Sequence, residues 1–149
     1  MNAKNEAVFK LREFNRFYMP MLDLLGNHYL GSEYSATEAR VLFEVYEKDG
    51  CNAAYIAKKM NIDKSYLSRV LKNHEKNGYL RRTASEADSR SFDLHLTEAG
   101  IARTRDFIQK SNQQIGEILT SLSADDCTKL AAALDTITEL LKTCKETCD

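Results

Sequence analysis

The chain has 149 residues, 43% of them hydrophobic and 29% charged, with a formal net charge of −1. Such a length and balance suit one soluble intracellular domain with a real core, and the absence of a secretory or membrane-spanning apolar run predicts a cytoplasmic protein with no membrane partner. The near-zero total says nothing about partners; only the distribution of charge can.

In chain order, the first pattern is an amphipathic helix with Leu11, Phe14, Tyr18, Met21 and Leu25 at spacings of three and four. Pro20, the one proline, is expected to kink or divide it. A short helix is predicted over 53–60, a break at Asn61-Ile62, and a second helix from Lys64 to about Lys76, stopped by Asn77-Gly78. Two strands follow, Tyr79 to Thr83 and Ser91 to Leu96, with the charged tip Ser85-Glu86-Ala87-Asp88-Ser89-Arg90 between them. Helix, turn, helix and β-hairpin wing is the plan of a winged helix-turn-helix, a DNA reader. Next comes a long helix capped by Thr97 and marked by Ile101, Ile108, Ile115, Ile118 and Leu122. Ser123 and Asp126 resemble a capping box for a last helix with the stripe Leu130, Leu134, Ile137, Leu141 and Cys144. The polar tail from Thr143 to Asp149 is expected to fray.

Residues 52–90 hold nine basic and four acidic residues, a local net of +5, and the remainder carries −6. A basic centre between acidic ends is the footprint of a phosphate-binding surface, and it coincides with the helix-turn-helix pattern. On the second helix Leu67, Val70, Leu71 and His74 share one face, which must pack on the core. Asp63 is placed to cap the helix start. The opposite side carries Lys64, Ser65, Arg69, Lys72 and Lys76, with Ser68 at its edge and Tyr66 on the flank. These are donors of the kind that reach phosphates and base edges, and Tyr66 can touch a sugar or a thymine methyl. On the wing, Arg90 is the candidate for the minor groove, Asp88 is expected to hold its guanidinium, and Arg81 and Arg82 are expected to meet phosphates.

A winged helix closes its core with three helices and a wing, so the apolar stripes at the two chain ends predict a second subunit: a homodimer whose two-fold axis matches a two-fold operator. Catalysis finds no motif, whether nucleophile elbow, phosphate-cradling glycine loop or zinc-hydrolase helix, so no enzyme and no cofactor is expected. Cys51, Cys127, Cys144 and Cys148 form no Cys-x-x-Cys pair, and His28, His74 and His95 stand at no ligand spacing. No metal site is expected; Cys144 and Cys148, one turn apart, keep a thiol-based sensor as an alternative.

The run Ser35-Ala36-Thr37-Glu38-Ala39-Arg40-Val41-Leu42, the helix pair, Asn77-Gly78-Tyr79-Leu80-Arg81-Arg82, the Asp88-Ser89-Arg90 tip and Leu96-Thr97-Glu98-Ala99-Gly100 resemble the MarR family. Ser89 departs from it, standing where the family often has a second basic residue. The resemblance implies a mainly α fold with a small β-wing (α+β): a winged helix-turn-helix at 35–97, and dimerisation helices at 1–30 and 98–149, in a single domain of residues 1–149. It implies a regulator binding double-stranded DNA as a homodimer, often a repressor released by a small lipophilic ligand seated between the dimerisation helices and the winged-helix core. Phe14, Arg16, Phe17, Tyr18, Met21, His28 and Tyr29 are the candidate effector residues, since aromatic walls with one guanidinium suit a small aromatic or aliphatic carboxylate; the alternative is that they fill the dimer core and that Arg16 pairs with Glu13. Peroxide-sensing relatives keep a reactive cysteine in the first helix, where this chain has none. More narrowly, Arg12-Glu13-Phe14-Asn15-Arg16-Phe17-Tyr18 and Tyr29-Leu30-Gly31-Ser32 are similar to MarR-like modules fused ahead of GNAT acetyltransferase domains. The chain ends at Asp149 without such a domain, so it is expected to be a standalone relative or a fragment of a longer fusion, and a regulatory module of an acetyltransferase system stays an alternative. A winged helix used for protein–protein contact is a third class, disfavoured by the basic face.

Overall fold

Each helix begins at a polar residue whose side chain accepts the backbone N–H three residues on: Asn2, Ser35, Asn52, Asp63, Thr97 and Ser123. Free N–H groups in a first turn need such a partner, so these residues set the helix starts. The computed structural model describes residues 2–148, with the side chains of Thr147 and Cys148 outside the described set. The elements are α1 (Ala3–Met21), α2 (Ala36–Glu47), α3 (Ala53–Met60), α4 (Lys64–Lys76), β1 (Leu80–Ala84), β2 (Phe92–Leu96), α5 (Glu98–Ile118) and α6 (Ala124–Cys148), with single 3-10 turns at Tyr29–Gly31 and Leu119–Ser121. They fall into two compact units, residues 1–112 and 113–149.

In the first unit the core is Val41 and Val45 of α2, Cys51 of the loop before α3, Ile56 and Ala57 of α3, Leu67, Val70 and Leu71 of α4, and Leu80 and Leu94 of the strands. A second cluster joins Tyr34, Ala39 and Leu42 to Phe107 of α5. β1 and β2 pair antiparallel, with Leu80 opposite Leu96, Arg82 opposite Leu94 and Ala84 opposite Phe92. The other edge of β2 is also bonded: Gly50 N–H donates to the Leu94 carbonyl, and Leu94 N–H donates to the Cys51 carbonyl, each at 2.8 Å. Gly50 makes this bridge at a φ of 83°, a backbone shape that suits glycine.

Several expectations need correction. Pro20 neither kinks nor divides the first helix: it sits in the last turn, and α1 ends one residue later at Met21. The strands begin and end one residue later than the alternation suggested at most ends. On α5 the buried residues are Gly100, Thr104 and Phe107, while Ile101 and Ile108 are only half-buried beside them. The tail does not fray over its described part, because α6 continues through Cys148. α1 has no buried residue, and Leu11, Phe14, Met21 and Leu25 are exposed. Within residues 113–149, Ile115, Leu122, Leu130, Leu134, Ile137, Leu140 and Leu141 are exposed as well.

The junction of wing and α5 explains the Leu-Thr-x-x-Gly sequence. Thr97 N–H donates to the Tyr79 carbonyl at 3.0 Å, and the Thr97 hydroxyl donates to the Gly78 carbonyl at 2.6 Å while accepting from Gly100 N–H. This brings the Tyr79 carbonyl onto Gly100, where any Cβ would overlap it. Gly100→Ala is expected to destabilise the fold by about 2 kcal/mol or more, read as a lower urea midpoint, because backbone rather than a flexible side chain must move.

Candidate nucleic-acid interface

The turn between α3 and α4 is closed by Asn61, the C-cap of α3, in the left-handed conformation at a φ of 52°. Asparagine tolerates that region better than most residues. Ile62 N–H reaches back to the Ala57 carbonyl at 3.1 Å, and the Asp63 carboxylate then caps α4 by accepting from Tyr66 N–H at 2.9 Å. These bonds fix the angle at which α4 leaves the turn.

On α4, Leu67, Val70, Leu71 and His74 are buried. The side turned to solvent carries exposed Lys64, Ser65, Arg69, Lys72 and Lys76, with Tyr66 and Ser68 half-buried at its margins. The Arg69 guanidinium lies 5.9 Å from the centre of the Tyr66 ring, close enough for the ring to steady it. Lys58 and Lys59 of α3 are exposed too.

The wing arginines differ from one another. Arg81 is exposed. Arg82, one residue on, faces the core side of the sheet, and its Nε donates to Glu75 Oε2 of α4 at 2.7 Å. It is therefore a brace between the wing and α4 rather than a free phosphate ligand. Strand alternation places adjacent residues on opposite faces, so this difference was available from the sequence. Asp88 also takes a different part: its Oδ1 accepts the backbone N–H of Arg90 at 2.9 Å, shaping the tip, and leaves the exposed Arg90 guanidinium to solvent. A second brace joins the wing to the loop before α3: His95 Nδ1 lies 2.9 Å from Asp49 Oδ1, and His95 Nε2 lies 3.1 Å from Thr83 Oγ1.

Behind α4 lies a buried polar group. His74 Nε2 is 2.8 Å from the Glu38 carbonyl, so that nitrogen carries the proton and donates. Its ring meets Tyr34 edge-on with centroids 4.9 Å apart, and Asn77 Nδ2 donates to the Tyr34 hydroxyl at 2.7 Å. His74 Nδ1 is buried with no partner among the described residues. Burial, the largest influence on His74, pushes its pKa below the ordinary histidine range. Nearby, Arg103 donates to Glu33 at 2.6 Å while its guanidinium lies 5.6, 5.8 and 5.1 Å from the rings of Tyr34, Tyr79 and Phe107.

A cavity of about 600 Å³ opens in the first unit. Its apolar wall includes Met19, Leu24, Tyr29, Phe43, Met60 and Phe107, and its polar groups include Arg40, Lys59 and Asn112. Of the residues predicted for an effector, Tyr29 alone lines it. Phe14, Arg16, Phe17, Tyr18, Met21 and His28 do not, because α1 leaves most of its side chains exposed in the single chain. Phe14 and Tyr18 stack on each other with centroids 5.2 Å apart. Of the two cations at the cavity, Arg40 and Lys59, Arg40 has its Nε held by the buried Glu44 at 2.6 Å.

Cys51, the one cysteine in the first unit, is buried, and desolvation pushes its thiol up to about 11. No group of residues suited to a metal ion occurs among the described residues. No helix among them is long and apolar enough to cross a membrane.

Two helices joined by a tight turn, a solvent-facing basic second helix and a braced two-stranded wing define a winged helix-turn-helix protein. Comparison with known proteins finds similar chains of this class. The model of the MarR family matches residues 34–92. The chain is 29% identical over 145 residues to an organic hydroperoxide resistance transcriptional regulator of Bacillus subtilis, covering 95% of this chain and 92% of that protein. A MarR transcriptional regulator from Methanosarcina mazei superposes with a TM-score of 0.76 at 20% identity, covering 91% of this chain and 97% of the other. A mutant MarR of Escherichia coli complexed with operator DNA gives 0.71 at 23% identity over 92% of this chain and 99% of the other. Over residues 34–92 the chain is similar to the MarR family.

The neutral, buried His74 makes stability depend on pH. The unfolded chain takes up a proton at this residue near the ordinary value of about 6.5, while the folded chain resists protonation to lower pH. The stability present at neutral pH should therefore decline as pH falls through and below that value. Melting temperatures recorded from roughly pH 7 down to 5, above the carboxylate range, should slope downward in the wild type and flatten in His74→Gln, whatever that variant's absolute stability.

Proposed function

We propose that the protein is a sequence-specific DNA-binding transcriptional regulator, acting in the cytoplasm as a homodimer on a pseudo-palindromic operator, as a repressor released by a small-molecule effector. The observation that carries this is the solvent-facing row Lys64, Ser65, Arg69, Lys72 and Lys76 on a helix whose opposite face is buried. Such a helix can enter a major groove with its donors toward base edges and phosphates. Arg81 and Arg90 extend the basic surface along the wing, and Arg90 at the tip suits a narrow minor groove. The operator-bound Escherichia coli relative supports the same use of the fold. The acetyltransferase association draws no support from the relatives described above.

The dimer reading rests on the apolar faces of α1 and α6. Each is exposed in the single chain and unsuited to water over that extent. Residues 1–30 and 98–149 are accordingly read as the dimerisation segments around the 35–97 reading core. The thiol-sensor alternative is disfavoured within the first unit by the raised thiol of buried Cys51.

For the effector, the cavity replaces the predicted α1 surface. Its size falls within the range of small-molecule sites, and apolar walls with Arg40 and Lys59 suit an anion-headed, apolar-bodied molecule such as an aromatic carboxylate. The cavity wall includes Lys59 and Met60, the last two residues of α3, directly before the turn that orients α4. A ligand there releases DNA only if it binds more tightly to the arrangement that fits the operator poorly.

Selection of bound duplexes from a random-oligonucleotide pool tests the main reading and yields the operator; recovery of no enriched sequence would refute it. On the recovered duplex, Arg69→Ala should lose about 1–3 kcal/mol of discrimination at one base position without a drop in melting temperature. Wild-type specificity in that variant would mean that α4 presents another face. In a calorimetric screen of aromatic carboxylates, a binder should lose affinity about tenfold or more in Arg40→Gln, through loss of a charge-assisted bond. A binder that leaves operator affinity unchanged would refute the coupling.

A further inference from the structure

Among the described residues between 26 and 114, a single large hydrophobic side chain is exposed, and it is on the wing. Phe92 retains 51% of its surface. The other exposed large hydrophobics belong to α1 and the segment after it, or lie at 115 and beyond, where the dimer reading accounts for them. Phe92 has no such account.

Its place in the hairpin fixes the direction in which it faces. Phe92 is the first residue of β2 after the tip and pairs with Ala84, the last residue of β1. Alternation along the strands puts Phe92 and Ala84 on the sheet face that also carries Leu80, Arg82, Leu94 and Leu96. Leu80 and Leu94 on that face are buried in the core, and Arg82 reaches Glu75 of α4. The face therefore looks toward the α4 side of the protein. Near the wing root it is covered; toward the tip Ala84 and Phe92 overhang the covered part, and alanine is too small to shield the ring. The ring thus stands uncovered on the same sheet face as the Arg82 brace to α4, two residues from Arg90.

We propose that Phe92 is a further DNA-contact residue: an apolar bearing surface that seats against the sugar edges of the minor groove while Arg90 supplies the charge. The proposal rests on the DNA-binding reading above. Sugar edges present C–H surface, and apolar side chains are used against the minor groove by other binders. Burying the ring on DNA removes apolar surface from water, a gain that does not depend on counterions, whereas a phosphate or groove arginine acts largely through them. The two residues therefore leave different signatures in salt.

The test is a fluorescence-anisotropy titration of the selected duplex at several salt concentrations, with the wild type, Phe92→Ala, Phe92→Leu and Arg90→Ala. Phe92→Ala should bind about three- to tenfold more weakly at every salt concentration, with an unchanged slope of log affinity against log salt. Phe92→Leu should recover most of that loss. Arg90→Ala should reduce the slope by about one. The melting temperature and the oligomeric mass of Phe92→Ala should match the wild type, since the side chain is exposed. Wild-type affinity in Phe92→Ala would overturn the proposal. So would a changed salt slope, which would mean displaced charges, or a lowered melting temperature or altered mass, which would mean a packing or self-association role. If the wild type itself binds no selected duplex, the DNA-binding reading falls and takes this one with it.

Discussion

The reading face of α4 points outward because its other face has nowhere else to go. Leu67, Val70 and Leu71 are buried, and each contributes on the order of 1.5–3 kcal/mol relative to an exposed side chain. His74 completes the stripe with a polar group, which would count against burial if it were unpaired. Its bond to the Glu38 carbonyl satisfies one nitrogen and joins the last turn of α4 to the first turn of α2. Rotating α4 by one residue would bring Lys or Ser side chains into the core and expose leucines. That penalty keeps Arg69 and Lys72 on one bearing, and the Tyr66 ring beside Arg69 adds to it.

The wing depends on the same helix. Arg82 reaches Glu75, His95 reaches Asp49, and β2 bonds on its free edge to the Gly50–Cys51 segment. The hairpin is thereby tied to α4 on one side and to the α2–α3 loop on the other. A two-stranded hairpin alone is marginal in water, so these ties make the tip a positioned element. The polar groups of the wing are thus divided: Arg82 and His95 hold the frame, and Arg81 and Arg90 stay available.

The helix-turn-helix was legible because local rules decide it. Asn61 and Gly78 mark the breaks, Asp63 marks the start of α4, and the period of 3.6 separates its faces, so α3 and α4 match the expected spans. What the sequence hid was pairing across distance. Strand alternation separates the faces of Arg81 and Arg82, but nothing local names Glu75, seven residues away on another element, as the partner of Arg82. Asp88 has two groups of Arg90 within reach, and spacing cannot say whether it holds the amide or the guanidinium. The cavity was missed for the same reason: its lining comes from α1, α2, α3 and α5, and Arg40 reads in sequence as one more charge on a helix surface.

The position of Cys51 separates the chain chemically as well as spatially. Cys51 is buried and its thiol is pushed up to about 11, so it carries little thiolate at neutral pH. Residues 1–112 hold no other cysteine, and the remaining three lie at 127, 144 and 148. Thiol-directed dyes, spin labels and cross-linkers used near neutrality should therefore pass over the reading head. A probe that attaches would report from residues 113–149, so distance measurements on the native sequence can follow that unit through DNA binding without an engineered cysteine.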